Sequence, residues 1–309
     1  MRLVIIGGNG FIGKNATDYF VHRDYEVISC DLSYPVFEEK CVEYHKILDL
    51  SQYDDILQKG DTVIYLPCRN VPATSNRNMS FGINENILEA VNFFEKCGTI
   101  GVGRIIYSSS GGAVYGDMTN GRPLSENDLP TPISVYGIQK LTIENYLNVI
   151  CRKYGIKPII LRIANPYGRW QKPFRGQGII PTYLASALID INKPIEIWGT
   201  GAETRDYIYI DDLMQAFDKS MTYSGCEYIF NVGSGVQHSI DDVIDIIEET
   251  VEERFAERIY IKDCISEVKN NLLDCTRIDS EMGWHPQVPL KKGIGILKLM
   301  WNFERREFC

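Results

Sequence analysis

The chain opens on Arg2–Ile6, four of whose five residues are apolar without alternation, and the run breaks at Gly7. Unbroken apolar runs between turn residues mark strands buried on both faces, whereas a 3.6-residue period marks helices that cover them. On that basis strands are predicted at 2–7, 25–31, 44–48, 61–66, 103–110 and 157–163. Helices are predicted between them at 11–23, at 80–98 with a stop at Gly98, and at 132–155 with a stop at Gly155. Such alternation predicts a parallel sheet with helices on both faces and right-handed crossovers. After Pro166 the pattern changes. Residues 168–178, GRWQKPFRGQG, are polar, basic and glycine-rich and read as a loop. Beyond them strands are expected at 195–199, 206–210 and 227–233, and helices at 211–221 and 239–255. The expected division is a first unit over 1–165, rejoined by about 206–230, and a smaller α/β unit over most of 166–309.

The first break is chemically specific. GGNGFIG, residues 7–13, sits between a predicted strand and a predicted helix. Gly7 permits a tight turn, Gly10 lets backbone approach a pyrophosphate, and Gly13 lets helix and strand pack closely. The helix N-terminus adds unpaired N–H groups and partial positive charge. Asp31 ends the second strand, eighteen residues after Gly13, where a carboxylate accepts from both ribose hydroxyls and repels a 2′-phosphate. NAD is therefore expected over NADP. Asp49, after the third strand, is placed to reach the adenine amino group. The expected fold is a Rossmann-type doubly wound parallel sheet with a smaller α/β C-terminal substrate domain.

Composition narrows the partners. A net charge of −9 argues against a general nucleic-acid or anionic-membrane binder. Nine cysteines, odd in number and irregularly spaced, argue against a disulfide framework, and four scattered histidines against a metal site. No apolar stretch approaches the roughly 20 residues that span a bilayer, and Gly7 and Gly8 cut the first apolar run too short for a signal peptide. A cytoplasmic protein is expected.

Within SVYGIQK, Tyr136 and Lys140 lie four residues apart and share a helix face. A free phenol has a pKa near 10, so about one in a thousand is ionised at neutral pH. Bringing it to ~7 requires about 4 kcal/mol of differential stabilisation. A lysine ammonium one turn away and a positive nicotinamide ring are candidates to supply it. Tyr136 would then serve as general base or acid, with Lys140 also holding the nicotinamide ribose. YSSSGGAVYG, residues 107–116, follows a predicted strand and offers hydroxyls to a reacting sugar oxygen.

These motifs together carry a family resemblance. With PATSN (72–76), LRIANPYG (161–168), WGTGAETRDYIYIDDL (198–213) and MGWHP (282–286), the chain resembles the extended short-chain dehydrogenases/reductases over nearly its whole length. Within them it is most similar to the nucleotide-sugar epimerases, UDP-glucose 4-epimerase above all. The resemblance implies NAD-dependent 4-epimerisation of UDP-glucose/galactose or their N-acetyl forms through a transient 4-keto sugar. It implies catalysis by Tyr136, Lys140 and Ser110. For the cofactor it adds Phe11, Ile12, Leu50, Leu66, Asn86 and Ser108 to Gly7, Gly10, Gly13, Asp31, Asp49 and the Tyr136/Lys140 pair. For substrate it implies Ser109, Tyr115, Asn165, Arg169, Gln177, Arg205 and Asn271, with Arg205 on the diphosphate. A homodimer through helices near 82–97 and 134–154 is also implied.

The chain departs from the family pattern in several places. Gly111 stands where relatives carry Ser or Thr, so the role passes to Ser110. The nicotinamide loop reads LPCRNVPATS, with Pro67 and Cys68 at the small positions and Asn70 where some relatives have lysine. Counting back ten from Asp274 to the usual phosphate arginine reaches Cys264, and the run Arg169, Lys172, Arg175 is the candidate replacement. Asn271 leaves room for an N-acetyl group. Gly111, Gly112 and Ala113 leave no acid/base pair for 4,6-dehydration. An NAD(P)H-dependent 4-keto-sugar reductase and a non-catalytic nucleotide sensor are the alternatives.

Overall fold

The structure is a computed structural model that describes residues 1–36, 38–69, 75–76, 79–118, 121–176, 178–261 and 268–304, the side chains of 302–304 excepted. In chain order the strands are β1 (Arg2–Ile6), β2 (Glu26–Asp31), β3 (Val42–Lys46), β4 (Thr62–Tyr65), β5 (Arg104–Ser110), β6 (Lys157–Ile163), β7 (Asn165–Tyr167), β8 (Ile195–Trp198), β9 (Thr204–Tyr209), β10 (Ile229–Val232), β11 (Gln237–Ser239) and β12 (Arg258–Ile261). The main helices are α1 (Phe11–Val21), α2 (Glu89–Ile100), α3 (Val135–Tyr154), α4 (Ile179–Asp190), α5 (Ile210–Thr222), α6 (Ile240–Val251) and α7 (Leu290–Glu304).

Seven strands form one parallel sheet in the order β10-β6-β5-β4-β1-β2-β3. This is the doubly wound α/β fold expected from the alternation. The order reverses between β1 and β4, so their carboxyl ends open a crevice there. Each face buries its own apolar set because successive side chains alternate. Leu3, Ile5, Ile64 and Ile106 pack with Phe20 of α1 and Phe217 of α5. Val4, Val63 and Ile105 pack with Phe93 and Phe94 of α2 and Leu147 of α3. Tyr65 lies 5.1 Å and 5.0 Å, centroid to centroid, from Phe93 and Phe94, fixing α2 against the sheet.

The chain returns to the large sheet with β10, beside β6. Buried Arg104, at the base of β5, anchors the preceding segment. Its Nη1 and Nη2 donate to the Ser220 and Tyr223 carbonyls, 2.8 and 2.6 Å away, satisfying groups that the end of α5 leaves unpaired. Two smaller sheets, β11-β9-β7 and β12-β8, lie outside the main one. Among the described residues no helix is long and apolar enough to cross a membrane.

Several helix ends differ from expectation: the first helix stops at Val21 rather than 23, and the one expected from 132 begins at Val135. The helix predicted to stop at Gly98 continues to Ile100 and is capped by Gly101, φ +91°. Gly98 is glycine for another reason: a Cβ there would collide with the Tyr154 ring, so it sets the approach of α2 to α3. The preceding turns, Ile83–Leu88, are π-helical, a wider winding often found at functional sites. The helix predicted over 239–255 begins with a Ser239/Asp242 capping box but ends at Val251. Glu252 takes the left-handed cap, φ +66°, without the glycine that would have announced it. The third strand begins two residues before its expected start.

The Glu252 cap yields a stability prediction. Glu252→Gly removes a strained left-handed side chain and should raise unfolding stability by about 1 kcal/mol in a denaturant titration. An unchanged or lower stability would show that no strain is stored there.

Candidate active site

The glycine turn is built by contacts that exclude side chains. Gly7 adopts φ +83°, and the Gly7 and Gly8 N–H groups donate to the Cys30 carbonyl at 2.8 and 3.2 Å, carrying the chain over β2. A Cβ on Gly13 would collide with the Gly7 carbonyl oxygen. Gly8, which the motif reading passed over, is equally constrained: a Cβ there would strike the Ser29 hydroxyl. Its signal was the doubled glycine in GGNGFIG. Gly10 caps α1 with no side-chain acceptor, and the first turn, from Phe11 and Ile12, holds no acidic residue. Its leading N–H groups thus face an uncluttered cradle that suits a phosphate.

Asp31 stands beside the turn. Its carboxylate accepts from Asn9 N at 2.8 Å and Leu32 N at 2.7 Å, which aims it along the carboxyl edge of β2. Leu66 lies across the turn, 3.4 Å from where a Gly7 Cβ would sit, with its N–H on the Ile6 carbonyl. Asp49 is engaged locally. It caps the Leu50–Gln52 turn, accepting from Ser51 N at 2.8 Å and Ser51 Oγ at 2.6 Å. Those bonds, the hydroxyl first, hold its pKa below the usual carboxylate range. With turn, helix end and carboxylate on one edge, these residues fit a dinucleotide.

The second group lies two strands away, at the end of β5. Ser134 caps α3, accepting from Gly137 N at 3.1 Å. Gly137 presses against the Ala113 carbonyl, where a Cβ would not fit. Lys140, almost fully buried, donates to the Ser108 carbonyl at 2.8 Å. Its Nζ lies 5.0 Å from the Tyr107 ring centroid and 5.8 Å from that of Tyr136. The Tyr136 phenol lies beside Ser110, which favours its ionised form.

In the protein without cofactor, burial dominates the titration of the pair. Burial pushes the Tyr136 phenol up, a charge on Cys68 would push it further, and only the Ser110 bond works the other way. Burial also pulls the Lys140 ammonium down, against the opposing influence of Cys68 and Glu144. Lys140 spends its hydrogen bond on a carbonyl and stands off the phenol, so in the protein alone desolvation wins.

Several expected substrate contacts have other employment. Ser109 points away from Ser108 and Ser110, as strand alternation requires, and its buried hydroxyl donates to Glu144. The buried Tyr115 hydroxyl donates to Asn231 Oδ1 at 2.8 Å, and Arg162 covers its ring at 4.8 Å. Asn271 is fully buried behind the Gly111–Val114 turn, its Nδ2 donating to the Gly111 carbonyl at 3.1 Å. It forms wall, not an open recess for an N-acetyl group. Gly111 itself explains the missing hydroxyl, because Leu273 and the Arg162 carbonyl occupy the space of a Cβ. Asn86 is buried with Nδ2 on Gln139 Oε1 at 3.0 Å and Oδ1 accepting from Arg69 N at 2.8 Å. It ties the loop after β4 to the residue beside Lys140 and leaves little for a cofactor to touch.

Asn165 and Arg205 remain on the cleft side. The Asn165 amide lies 3.7–4.0 Å from the Cβ position of Gly112, which is itself 3.9 Å from Ser110 Oγ. Asn165 Nδ2 donates to the Asp206 carbonyl at 3.1 Å. Arg205 is half-buried; its Nη1 donates to the Thr204 and Lys269 carbonyls at 2.9 and 3.0 Å, and among the described residues no carboxylate pairs with it. Arg169 is placed differently. It follows the end of β7 that lies beside Tyr209, the far end of β9 from Arg205. Its guanidinium sits 4.0 Å from the Asp18 carboxylate of α1 and 4.0 Å over Trp170. Lys172 and Arg175 are exposed in the same loop. Gln177, Asn70 and the segment around Cys264 lie outside the described residues, as does most of PATSN.

Comparison with known proteins agrees with this geometry. A model of the NAD dependent epimerase/dehydratase family matches residues 3–233. A dTDP-4-dehydro-6-deoxyglucose reductase of Escherichia coli is 37% identical over 305 residues, covering 94% of this chain and 95% of that protein. The structure of a UDP-glucose 4-epimerase with UDP-glucose from Thermotoga maritima is similar at 30% identity and a TM-score of 0.91, covering 99% and 100% of the two chains. A Thermus thermophilus UDP-glucose 4-epimerase complex with NAD is 25% identical with a TM-score of 0.89, covering 98% and 99%.

The turn geometry gives a direct test. Gly13→Ala should abolish NADH binding, followed by the fluorescence of the reduced nicotinamide, while the large sheet still gives a cooperative melt. Wild-type binding would show that the turn does not shape the cofactor cradle.

Proposed function

We propose, since the chain belongs to the NAD dependent epimerase/dehydratase family and its cofactor is NAD, that it reduces the 4-keto group of a nucleotide-linked hexose. The observation that carries this reading is the phenol of Tyr136 one helical turn from Lys140, whose Nζ lies 5.8 Å from its ring. An un-ionised phenol gives a proton to a carbonyl oxygen. The 37% identity with an E. coli protein named as a 4-keto-sugar reductase supports the same direction.

When bound, the reduced dinucleotide supplies the hydride for carbon 4. The rest belongs to side chains. Ser110 orients the substrate oxygen next to the phenol. Tyr136 donates its proton to that oxygen as negative charge develops on it. Lys140, fixed by the Ser108 carbonyl, then stabilises the phenolate left behind. Arg205 has one nitrogen committed to backbone and presents the rest of its planar guanidinium to the diphosphate. Asn165 donates to the sugar. Residues 166–309 act mainly as the sugar-nucleotide unit, apart from the β10 return.

A second reading is 4-epimerisation of a UDP-hexose, supported by the similarity to the Thermotoga structure with UDP-glucose. There Tyr136 must first remove a proton, which requires the oxidised, positively charged nicotinamide to offset burial. One experiment separates the two. NADH absorbance at 340 nm is followed with dTDP-4-dehydro-6-deoxyglucose, and UDP-glucose and UDP-galactose are incubated with NAD and resolved by proton NMR. The expected result is NADH consumption with the keto sugar and no interconversion. Interconversion without net consumption would replace reduction by epimerisation, and neither would overturn both. Tyr136→Phe should lower turnover about a hundredfold or more while keeping NADH binding; unchanged turnover would remove Tyr136 from the chemistry.

The same reading includes a homodimer. Ile138, Tyr146 and Val149 leave an exposed apolar stripe along α3, next to exposed Ile83 and Leu88. Two such helical faces from each subunit make a four-helix contact. Sedimentation should give twice the 35.2 kDa chain mass, and Val149→Glu should halve it; a wild-type monomer at micromolar concentration would contradict the dimer.

A further inference from the structure

On the inner face of α3, Tyr136, Lys140 and Glu144 follow one another at four-residue spacing. They meet three consecutive residues of β5. Tyr136 meets the Ser110 hydroxyl, Lys140 the Ser108 carbonyl, and Glu144 the Ser109 hydroxyl. Glu144 is held from β6 as well: Arg162 Nε lies 3.1 and 3.2 Å from its two oxygens, and Nη2 2.7 Å from one. Arg162 is the direct neighbour of Ser109 across the sheet. Both charged side chains are 3% exposed, although neither reaches the cleft.

We propose that the Glu144–Arg162 pair is a positioning device for Lys140 and Tyr136, acting through Ser109 to lock the end of β5 against α3. The proposal rests on the reading of Tyr136 and Lys140 as the reacting pair. Ser109 bridges the two groups on which that pair depends, so pinning its hydroxyl fixes the Ser108 carbonyl and the Ser110 hydroxyl together. The pair also balances charge. Lys140 faces Tyr107 of β5, Cys68 of the loop after β4, and Tyr136 and Glu144 of its own helix. Glu144 faces Ser109 and Arg162, and Arg162 faces Tyr115, itself near Glu126. Glu144 favours the ammonium of Lys140 against burial. If Glu144 were neutral, burial would act on the Lys140 ammonium with less to oppose it.

The test needs no substrate, so it stays interpretable whichever reaction the site performs. Protein labelled with 13Cε lysine is titrated by NMR, with the Lys140 signal identified by its loss in Lys140→Met. Glu144→Gln should lower the Lys140 midpoint by roughly one to two pH units. Glu144→Gln/Arg162→Met, which also lacks the Glu144 carboxylate, should leave it displaced in the same direction as the single variant. Ser109→Ala changes no charge. It should shift the Lys140 signal at fixed pH and, in whichever NAD-dependent turnover the wild type shows, lower kcat with little change in KM. If the single variant does not fold, the double variant and Ser109→Ala carry the test. A wild-type Lys140 signal and midpoint in folded Ser109→Ala and Glu144→Gln would overturn the proposal. So would a double variant that folds with the wild-type midpoint.

Discussion

The register between the end of β5 and the inner face of α3 is the constraint on which the site depends. A helix that offers one group every four residues meets a strand whose alternate residues face opposite ways. Three consecutive serines satisfy both geometries, since the middle one turns inward to Glu144 while its neighbours serve the cleft. A slip of one residue along β5 would turn every side chain to the opposite face and, in one direction, put Gly111 where Ser110 stands. The parallel sheet prevents that slip, because β5 is paired along its length with β4 and β6.

The sheet also sets the distance between the two halves of the site. The glycine turn follows β1, the serines end β5, and only β4 lies between them. Two strand spacings amount to about 10 Å across the sheet, a separation that an extended dinucleotide bridges. The switch in strand order at β1/β4 keeps that edge free of a crossover helix. Fold and chemistry thus meet at one edge.

Much of this was legible in the sequence where a residue type has one physical use. The unbroken apolar runs gave the central strands, and Gly7, Gly10 and Gly13 gave the turn, whose conformation at Gly7 and close packing at Gly13 exclude a side chain. Tyr136 and Lys140 were legible from helical spacing. What stayed hidden depends on neighbours distant in the chain. Nothing local distinguishes Ser109 from Ser110; the difference is the strand's facing, set by Glu144 and Arg162. Asn271 looked like a recess until packing placed it behind Gly111, and the approach of Asp18 of α1 to Arg169 could not be read from chain order. Glu252 gave no warning of its left-handed cap, and Gly98 looked like a helix stop although it serves a helix–helix contact.

Burial and charge oppose each other at Tyr136, and the balance decides what the site does first. In the protein alone burial prevails and the phenol keeps its proton. On the proposed function, an oxidised nicotinamide brings positive charge to Tyr136, whereas a reduced one does not. The most direct measurement is an NMR titration of tyrosine labelled at Cζ, with the Tyr136 signal assigned by its loss in Tyr136→Phe. The account predicts a phenol still protonated at the ordinary tyrosine value of 10.0 in the free protein and with NADH, and a midpoint that falls when NAD is added. A phenolate at neutral pH in the free protein, or a midpoint indifferent to the cofactor's charge, would contradict it.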